Sequence, residues 1–318
     1  MRATCFGAVA RLGGALCSIS HNRLFVVPYA DLHTHTHCSD GHRSPTSLVQ
    51  AAAERGLHVL SVTDHDTVAG LSEAQQAAES CGVTLVPGVE MSVTVDGDEI
   101  HLLGYGFDPT HPALLDQLSA LEAARADRMQ AMLERLRDQG ISIAEEAVQA
   151  EARNAESLGR PHLAAALVEG GHVETQQEAF DRYLGRDGPA FVAKPPVPAG
   201  GVIEMLHDAG GLAVLAHPGH WTPSARLRAL AERGLDGIET VHPSHDASLE
   251  RYYERWAQAK DLICTGGSDY HGHREGEDDL FGTRGLDRAA WRRLRTVFDE
   301  RTAWGRRPVE GSNPSLRS

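Results

Sequence analysis

This sequence is poor in cysteine, in basic charge and in long apolar runs, and each shortage removes a class of protein. The five cysteines (Cys5, Cys17, Cys38, Cys81 and Cys264) are scattered and form no Cys-x-x-Cys pair. That argues against a zinc ribbon and a disulfide framework, and it suits a reducing cytoplasm. Lysine and arginine number 30 against 44 for aspartate and glutamate, giving a formal charge of −14. With no long basic run, an extensive nucleic-acid surface is not expected, and no protein partner is implied. A phosphorylated substrate would have to be held by metals and a few local arginines. The longest mildly apolar stretch, Ala3 to Cys17, is interrupted by Arg11 and is too short to span a membrane. No Ala-x-Ala cleavage site follows it, so residues 1–28 read as a disordered extension rather than a signal peptide.

Histidine is what the chain has in quantity, 18 residues that must be sorted into ligands and bystanders. The organising stretch is Ala30 to Asp40, in which Val26, Val27 and Tyr29 lead as a strand into His33-Thr34-His35. Residues two apart on a strand share a face, so the two imidazoles stand side by side. Packing explains such a pair poorly, whereas a divalent metal uses neutral nitrogen donors of this kind. Asp40, in a Ser-Asp-Gly turn, could close over the same site.

A strand–helix alternation follows. Pro45 near a helix start, Gly56 as its stop and the apolar run 57–63 ending at Asp64-His65-Asp66 make one βα unit. A helix over 71–80, a strand over 83–89 ending at Glu90, and a strand over 99–107 carrying His101 continue the pattern, which suggests parallel βα units. From Pro112 to Gln139 leucines and methionines recur at helical spacing, and shorter helices are expected at 143–152, 162–169 and 175–184. The alternation resumes with strands at 212–216, 237–241 and 262–265; the first runs to His217-Pro218, the second carries Glu239, and the last runs to Gly267-Ser268-Asp269-Tyr270-His271. The expected layout is an extension at 1–28, an α/β barrel from 29–108 and 197–290, a helical insertion at 109–196, and a C-terminal helix and tail at 291–318.

His33, His35, Asp40, His65, Glu90, His101, His217, Asp269 and His271 all fall at or near strand ends, which converge on one face of a parallel barrel. Six histidines and three carboxylates exceed what one ion can use. With no cysteine among them, the set suits several closely spaced ions such as Mn²⁺, Fe²⁺ or Zn²⁺.

These motifs, in this order, resemble the polymerase-and-histidinol-phosphatase (PHP) family of metal-dependent phosphoesterases. The likeness rests on His33-Thr34-His35, Asp64-His65-Asp66, Gly88-Val89-Glu90 with His101, His217-Pro218 and 267–272, and covers most of 29–107 and 197–285. It implies a distorted (β/α)₇ barrel, in agreement with the seven strands counted. It also implies a trinuclear site. His33, His35, Glu90 and Asp269 would bind one ion, Glu90 would bridge to a second held by His101 and His217, and Asp40, His65 and His271 would bind the third. The carboxylate of Asp40, where some members carry histidine, is a harder ligand that favours Mn²⁺ or Mg²⁺ over Zn²⁺. Mn²⁺ is the expected ion, and Asp31, Asp64 and Asp66 are expected to orient imidazoles.

The helical insertion and Gly159-Arg160-Pro161-His162 resemble the branch of nucleoside 3′,5′-bisphosphate phosphatases and 5′-end-trimming ribonucleases. The implied substrate is a small phosphorylated nucleotide or a short RNA 5′ end, attacked by metal-bound water without a protein nucleophile. His245 is a candidate to contact phosphate or protonate a leaving oxygen. Arg160 suits a second phosphate, and Lys194 reads as a linker residue that could also do so. The competing readings are a histidinol-phosphate-type small-molecule phosphatase and a non-catalytic, metal-stabilised PHP module. The full ligand set and the lack of any polymerase region weigh against the latter.

Overall fold

A computed structural model describes residues 28–152, 159–220, 222–272 and 277–306. The expectations for the leader before residue 28 and for the tail after Arg306 lie outside the described residues. The elements in order are β1 (Ala30–Asp31), α1 (Pro45–Glu54), β2 (Val59–Val62), α2 (Leu71–Cys81), β3 (Thr84–Val95) and β4 (Asp98–Tyr105). Then come α3 (Pro112–Asp138), α4 (Glu145–Glu151), α5 (Arg160–Glu169) and α6 (Gln176–Ala179), which runs into a π-helical turn at Phe180–Leu184. The second half holds α7 (Ala199–Asp208), β5 (Leu212–Leu215), α8 (Ser224–Glu232), β6 (Gly237–Val241), α9 (Ala247–Ala259), β7 (Ile263–Gly266), α10 (Glu277–Leu280) and α11 (Arg288–Arg301).

The seven strands lie in sequence order in one sheet. Beyond β1 the chain stays extended and meets the segment after β7. Leu32 N–H donates to Gly266 at 3.1 Å, Asp269 N–H to His33 at 2.9 Å and His35 N–H to Tyr270 at 2.9 Å. These bonds bring the two edges of the sheet together into a nearly closed barrel. Strands such as β2 and β5 are buried on both faces, which is why they read as unbroken apolar runs. Leu60 and Val62 point outward into the cluster beneath α1 and α2, while Val59 points inward with Leu103, Tyr105 and Val214.

One strand breaks the expected parallel pattern. β3 does not stop near Glu90 but continues to Val95, turns at Asp96 and Gly97, and pairs antiparallel with β4. Both turn residues have positive φ, 53° and 85°, as a two-residue hairpin turn requires; Asp-Gly between strands is its usual sequence. β4 is also antiparallel to β5, so it alone runs against the other six.

Helix ends follow local chemistry. Ser44 caps α1 by accepting the Ser47 N–H at 3.1 Å, with Pro45 in the first turn; such a cap is worth about 1 kcal/mol. Asp246 caps α9 and Asp287 caps α11 in the same way. Trp291, Leu294 and Phe298 of α11 join the barrel interior, with Phe298 6.3 Å from the Tyr105 ring. Tyr105 ends the reversed strand, so α11 closes the end of the barrel opposite the histidine cluster.

The helices after β4 carry a hydrophobic cluster of their own. α3 belongs to both: Leu114, Leu118 and Leu121 join the barrel cluster, and Met129, Met132, Leu133 and Leu136 the second one.

Candidate metal centre

The strand ends deliver their side chains to one mouth. Thr34 anchors the first segment, donating through Oγ1 to Ser61 C=O at 2.7 Å and through N–H to Thr63 Oγ1 at 3.2 Å. With Thr34 turned that way, His33 and His35 face the mouth together, both fully buried. Opposite His33 the chain passes at Gly267, where a Cβ would lie 2.4 Å from the His33 Cβ. Only glycine allows that approach. Two residues on, Asp269 holds φ of 51°, and His217 after β5 holds 23°. Positive φ at two non-glycine residues in one mouth is the kind of backbone strain that accompanies functional sites.

Glu90 is the hub. Its Oε1 lies 2.9 Å from His101 Nδ1 and 2.9 Å from His217 Nε2. Its Oε2 lies 3.3 Å from His33 Nε2, 3.3 Å from His35 Nε2 and 3.1 Å from His65 Nδ1. Asp269 Oδ1 adds contacts of 3.2 and 3.3 Å to His33 and His35. At the far side Asp40 faces His271 at 3.4 Å and His65 at 3.8 Å, while the His271 ring stacks on His35 at 4.0 Å between centroids.

Three donor sets result: His33, His35, Glu90 and Asp269; His35, Asp40, His65 and His271; and His65, Glu90 and His101. Within each set the donor atoms lie within 4.8 Å of one another. The sets overlap at Glu90, His35 and His65. His217 stands outside these three sets, although it touches Glu90.

Divalent ions fit this arrangement. His33 Nε2, His35 Nε2, His65 Nδ1, His101 Nδ1 and Glu90 Oε2 are buried and make no hydrogen bond. Unpaired polar atoms are costly in a protein interior unless they coordinate an ion, and here they converge. The donors are nitrogen and carboxylate oxygen with no thiolate, the mixture that Mn²⁺, Fe²⁺ and Zn²⁺ accept.

The charges are set by mutual contact. Burial opposes ionisation of Glu90, Asp40 and Asp269, yet the surrounding imidazoles hold all three carboxyls well below the usual range. Burial likewise opposes protonation of the imidazoles. The carboxylates outweigh it at His33 and His35, which are raised, and at His101 and His271, which are pushed up to about 10. At His65 burial wins, with His35 and His101 adding to it, and takes the ring down to about 3. Without ions, protons on imidazoles balance the carboxylates.

Other residues depart from their expected places. Among the described residues, Asp31, Asp64 and Asp66 hydrogen-bond to no imidazole. Asp31 accepts the N–H groups of His33 and Ser268, at 3.3 and 2.9 Å. Asp64 gathers Thr36 and Ser39 at 2.6–2.7 Å. Asp66 accepts the Ser92 N–H at 2.7 Å and pairs with Arg125. All three brace backbone and loops. The carboxylate that does orient an imidazole is Glu239, 3.0 Å from His33 Nδ1, whose other oxygen accepts the His217 N–H at 2.8 Å.

His245 is buried with both ring nitrogens engaged. Nδ1 donates to Thr240 C=O at 2.9 Å, and Nε2 accepts the Gly219 N–H at 3.1 Å. Neither nitrogen is left for a phosphate. His242 faces the mouth instead, its Nε2 3.4 Å from Asp269 Oδ2 and without a hydrogen bond. Arg160 sits with its guanidinium over the rings of Phe180 and Phe191 and donates to Leu184 C=O at 3.3 Å. Lys194 is tied into the barrel, 3.0 Å from both Ser92 Oγ and Glu99 Oε1. Glu99 in turn lies 3.8 Å from His101.

A seven-stranded barrel whose mouth gathers His and carboxylate donor sets that could hold metal defines the class of metal-dependent phosphoesterase barrels. Within that class the chain belongs to the PHP domain family, whose family model matches residues 31–184. It is 38% identical over 247 residues to a 5′-3′ exoribonuclease of Haemophilus influenzae, covering 76% of this chain and 89% of that protein. It is 34% identical over 275 residues to a 3′,5′-nucleoside bisphosphate phosphatase of Chromobacterium violaceum, covering 83% and 95%. Among solved structures, a Bifidobacterium adolescentis protein proposed to be a metal-dependent phosphoesterase aligns with a TM-score of 0.77 at 32% identity, over 85% of this chain and 96% of the other.

Proposed function

We propose that this protein is a metal-dependent phosphoesterase that removes the 3′-phosphate from nucleoside 3′,5′-bisphosphates, with trimming of RNA from the 5′ end as a second activity. The observation that carries this reading is the sharing of Glu90 between donor sets, an arrangement suited to two or three ions rather than one. The phosphatase and exoribonuclease relatives support the substrate class. Mn²⁺ is the proposed ion, because Asp40 supplies a hard oxygen donor; Zn²⁺, Fe²⁺ and Mg²⁺ are the alternatives. A reducing cytoplasm is the proposed place of action, in keeping with cysteines that are scattered and form no Cys-x-x-Cys pair, and no described helix is long and apolar enough to cross a membrane.

Clustered divalent ions would supply a nucleophile from water near neutral pH and neutralise charge on the phosphoryl oxygens. The protein's part is to place the donors. Glu239 receives the Nδ1 proton of His33, so in the neutral ring the lone pair lies on Nε2, facing Glu90 and Asp269. The Asp269 C=O does the same for His271, holding Nδ1 at 2.8 Å and leaving Nε2 towards Asp40. His242 stands beside Asp269 with Nε2 free of hydrogen bonds, and its proposed part is to donate to a phosphoryl oxygen.

A substrate panel tests the proposal. Protein supplemented with Mn²⁺ is assayed for phosphate release from adenosine 3′,5′-bisphosphate, adenosine 3′-monophosphate and histidinol phosphate, and for release of mononucleotides from 5′-phosphorylated short RNA. The expected order places the bisphosphate first, with a chelator abolishing all turnover. Preference for histidinol phosphate, or turnover that survives chelation, would overturn it.

A further inference from the structure

After β5 the chain turns with an uncommon backbone shape. His217 has φ of 23° and Gly219 of 59°, so Pro218 stands between two left-handed residues. A non-glycine residue keeps such a backbone only where its surroundings over-determine it. Four side chains do so here. Glu239 accepts the His217 N–H at 2.8 Å, and Thr222 Oγ1 donates to Pro218 C=O at 2.5 Å. His245 Nε2 accepts the Gly219 N–H at 3.1 Å, and the Tyr253 hydroxyl donates to Gly219 C=O at 2.6 Å.

His245 and Tyr253 grip the same residue from two sides, one by its N–H and the other by its C=O. Both are buried, with ring centroids 5.5 Å apart. Thr240 C=O can only accept, so its 2.9 Å contact places the His245 proton on Nδ1 and leaves Nε2 bare for the glycine N–H. Burial lowers the His245 pKa, which keeps the ring neutral. It pushes the Tyr253 hydroxyl up to about 12, which keeps it a donor. Asp246 caps α9 by accepting the N–H groups of Ser248 and Leu249, and so fixes the helix between the two rings.

What the turn carries is His217. Its Nε2 meets Glu90 Oε1 at 2.9 Å, the oxygen that His101 Nδ1 also meets at 2.9 Å. The rings of His33 and His271 are each fixed by a hydrogen bond on Nδ1. Among the described residues His217 has none there, and its side chain is 27% exposed. The direction of this ring is therefore set by its backbone.

We propose that His245 and Tyr253 are positioning residues, which clamp Gly219 and thereby hold His217 as a donor to the ion that Glu90 and His101 would bind. This rests on the site being a metal centre and not on the substrate assigned to it. Both residues act through the backbone of one glycine. The clamp therefore governs one ion, beside His101, and leaves the donor sets around His33 and His271 as they are.

Tyr253→Phe removes one hydroxyl and keeps the ring. His245→Leu removes the acceptor, and His245→Gln supplies a carbonyl and an N–H in its place. Full-length protein is loaded with Mn²⁺ and titrated with a competing chelator, and the ions retained per chain are counted. The same proteins loaded with Co²⁺ give a visible absorption spectrum that reports coordination geometry. The expected result is a weakening confined to one ion per chain. Its affinity falls about two- to tenfold in Tyr253→Phe, the worth of one hydrogen bond. It falls about ten- to a hundredfold in His245→Leu, with an altered Co²⁺ spectrum, and His245→Gln recovers most of both. Should His245→Leu not fold, the isosteric Tyr253→Phe decides alone. If the pair only supports the fold, melting temperatures drop while the folded variants keep wild-type affinity and Co²⁺ spectra, and the clamp is refuted. Equal weakening of every ion also refutes it. Wild-type protein that takes up no ion would overturn the metal reading together with the clamp. The expected metal losses in a protein that hydrolyses no bisphosphate would keep the clamp and overturn only the substrate reading.

Discussion

Glu90→Gln tests the centre of the site directly. Both oxygens of Glu90 are used, one by His101 and His217 and the other by His33, His35 and His65, all within 3.3 Å. Glutamine fills the same volume but replaces one oxygen with a hydrogen-bond donor, so in either orientation one group of imidazoles loses its partner. Removing one member of a buried set of charges typically costs about 3–5 kcal/mol. At about 1.36 kcal/mol per power of ten, that is roughly two to nearly four decades in an equilibrium constant. An ion held with micromolar affinity would then be lost on desalting. Elemental analysis of desalted protein, run beside hydrolysis of 4-nitrophenyl phosphate, measures both consequences. The expected outcome is at least one ion fewer per chain and turnover lower by at least about a hundredfold, following the same constant. Retention of the full metal complement and of full turnover would refute the shared-ligand argument.

Glu239→Gln should weaken metal binding by about ten- to a hundredfold, because the amide no longer fixes the tautomer of His33; a competitive chelator titration measures the change, and no shift would remove Glu239 from the site. Gly267→Ala should displace the His33 backbone, since the added Cβ would sit 2.5 Å from the His33 nitrogen; reduced metal content in a protein of native far-UV circular dichroism is expected, and an unaltered metal content would refute it. Metal uptake should release protons. His33, His35, His101 and His271 are raised and carry protons in the ion-free site, whereas an ion needs them neutral, so affinity should climb with pH towards the values near 10 of His101 and His271. Calorimetry in buffers of different ionisation enthalpy reads the proton count directly, and a count of zero at pH 7 would contradict the charge assignment.

Local signals carried much of the fold. The strand expected over 237–241 occurs with those bounds, and the one expected over 212–216 occurs at Leu212–Leu215. The reversal of β4 is hidden because Glu90 reads as a strand end, although Met91, Val93 and Val95 alternate beyond it. Asp96-Gly97, the hairpin signal, stood between two such runs. Glu239 was legible too: a carboxylate inside the apolar strand Gly237–Val241 must find a partner when buried. His245 was not, since its engagement depends on where the loops bring Thr240 and Gly219, and no spacing rule reports that. Arg128 is three residues after Arg125 on an amphipathic helix, where two such charges ordinarily read as a solvated face. Arg128 is buried all the same, its Nε donating to Val192 C=O at 2.7 Å.

The reversed strand changes which errors the site can survive. In a barrel made only of βα units, each metal ligand arrives on its own strand, and a loop can lengthen without moving its neighbour. Here Glu90 and His101 belong to the two arms of a single hairpin, with Glu90 opposite Leu103 and His101 opposite Ser92. Their meeting is therefore a matter of counting. One residue added to or removed from the turn would shift the alternation on one arm and bring Ile100 or Leu102 to the mouth where His101 now stands. The segment after β4 obeys no such count, and it is there that the chain carries the extra helices between β4 and β5. Length variation in relatives is thus expected to accumulate after Tyr105 and to avoid Asp96 and Gly97, where a single extra residue would separate the two ligands.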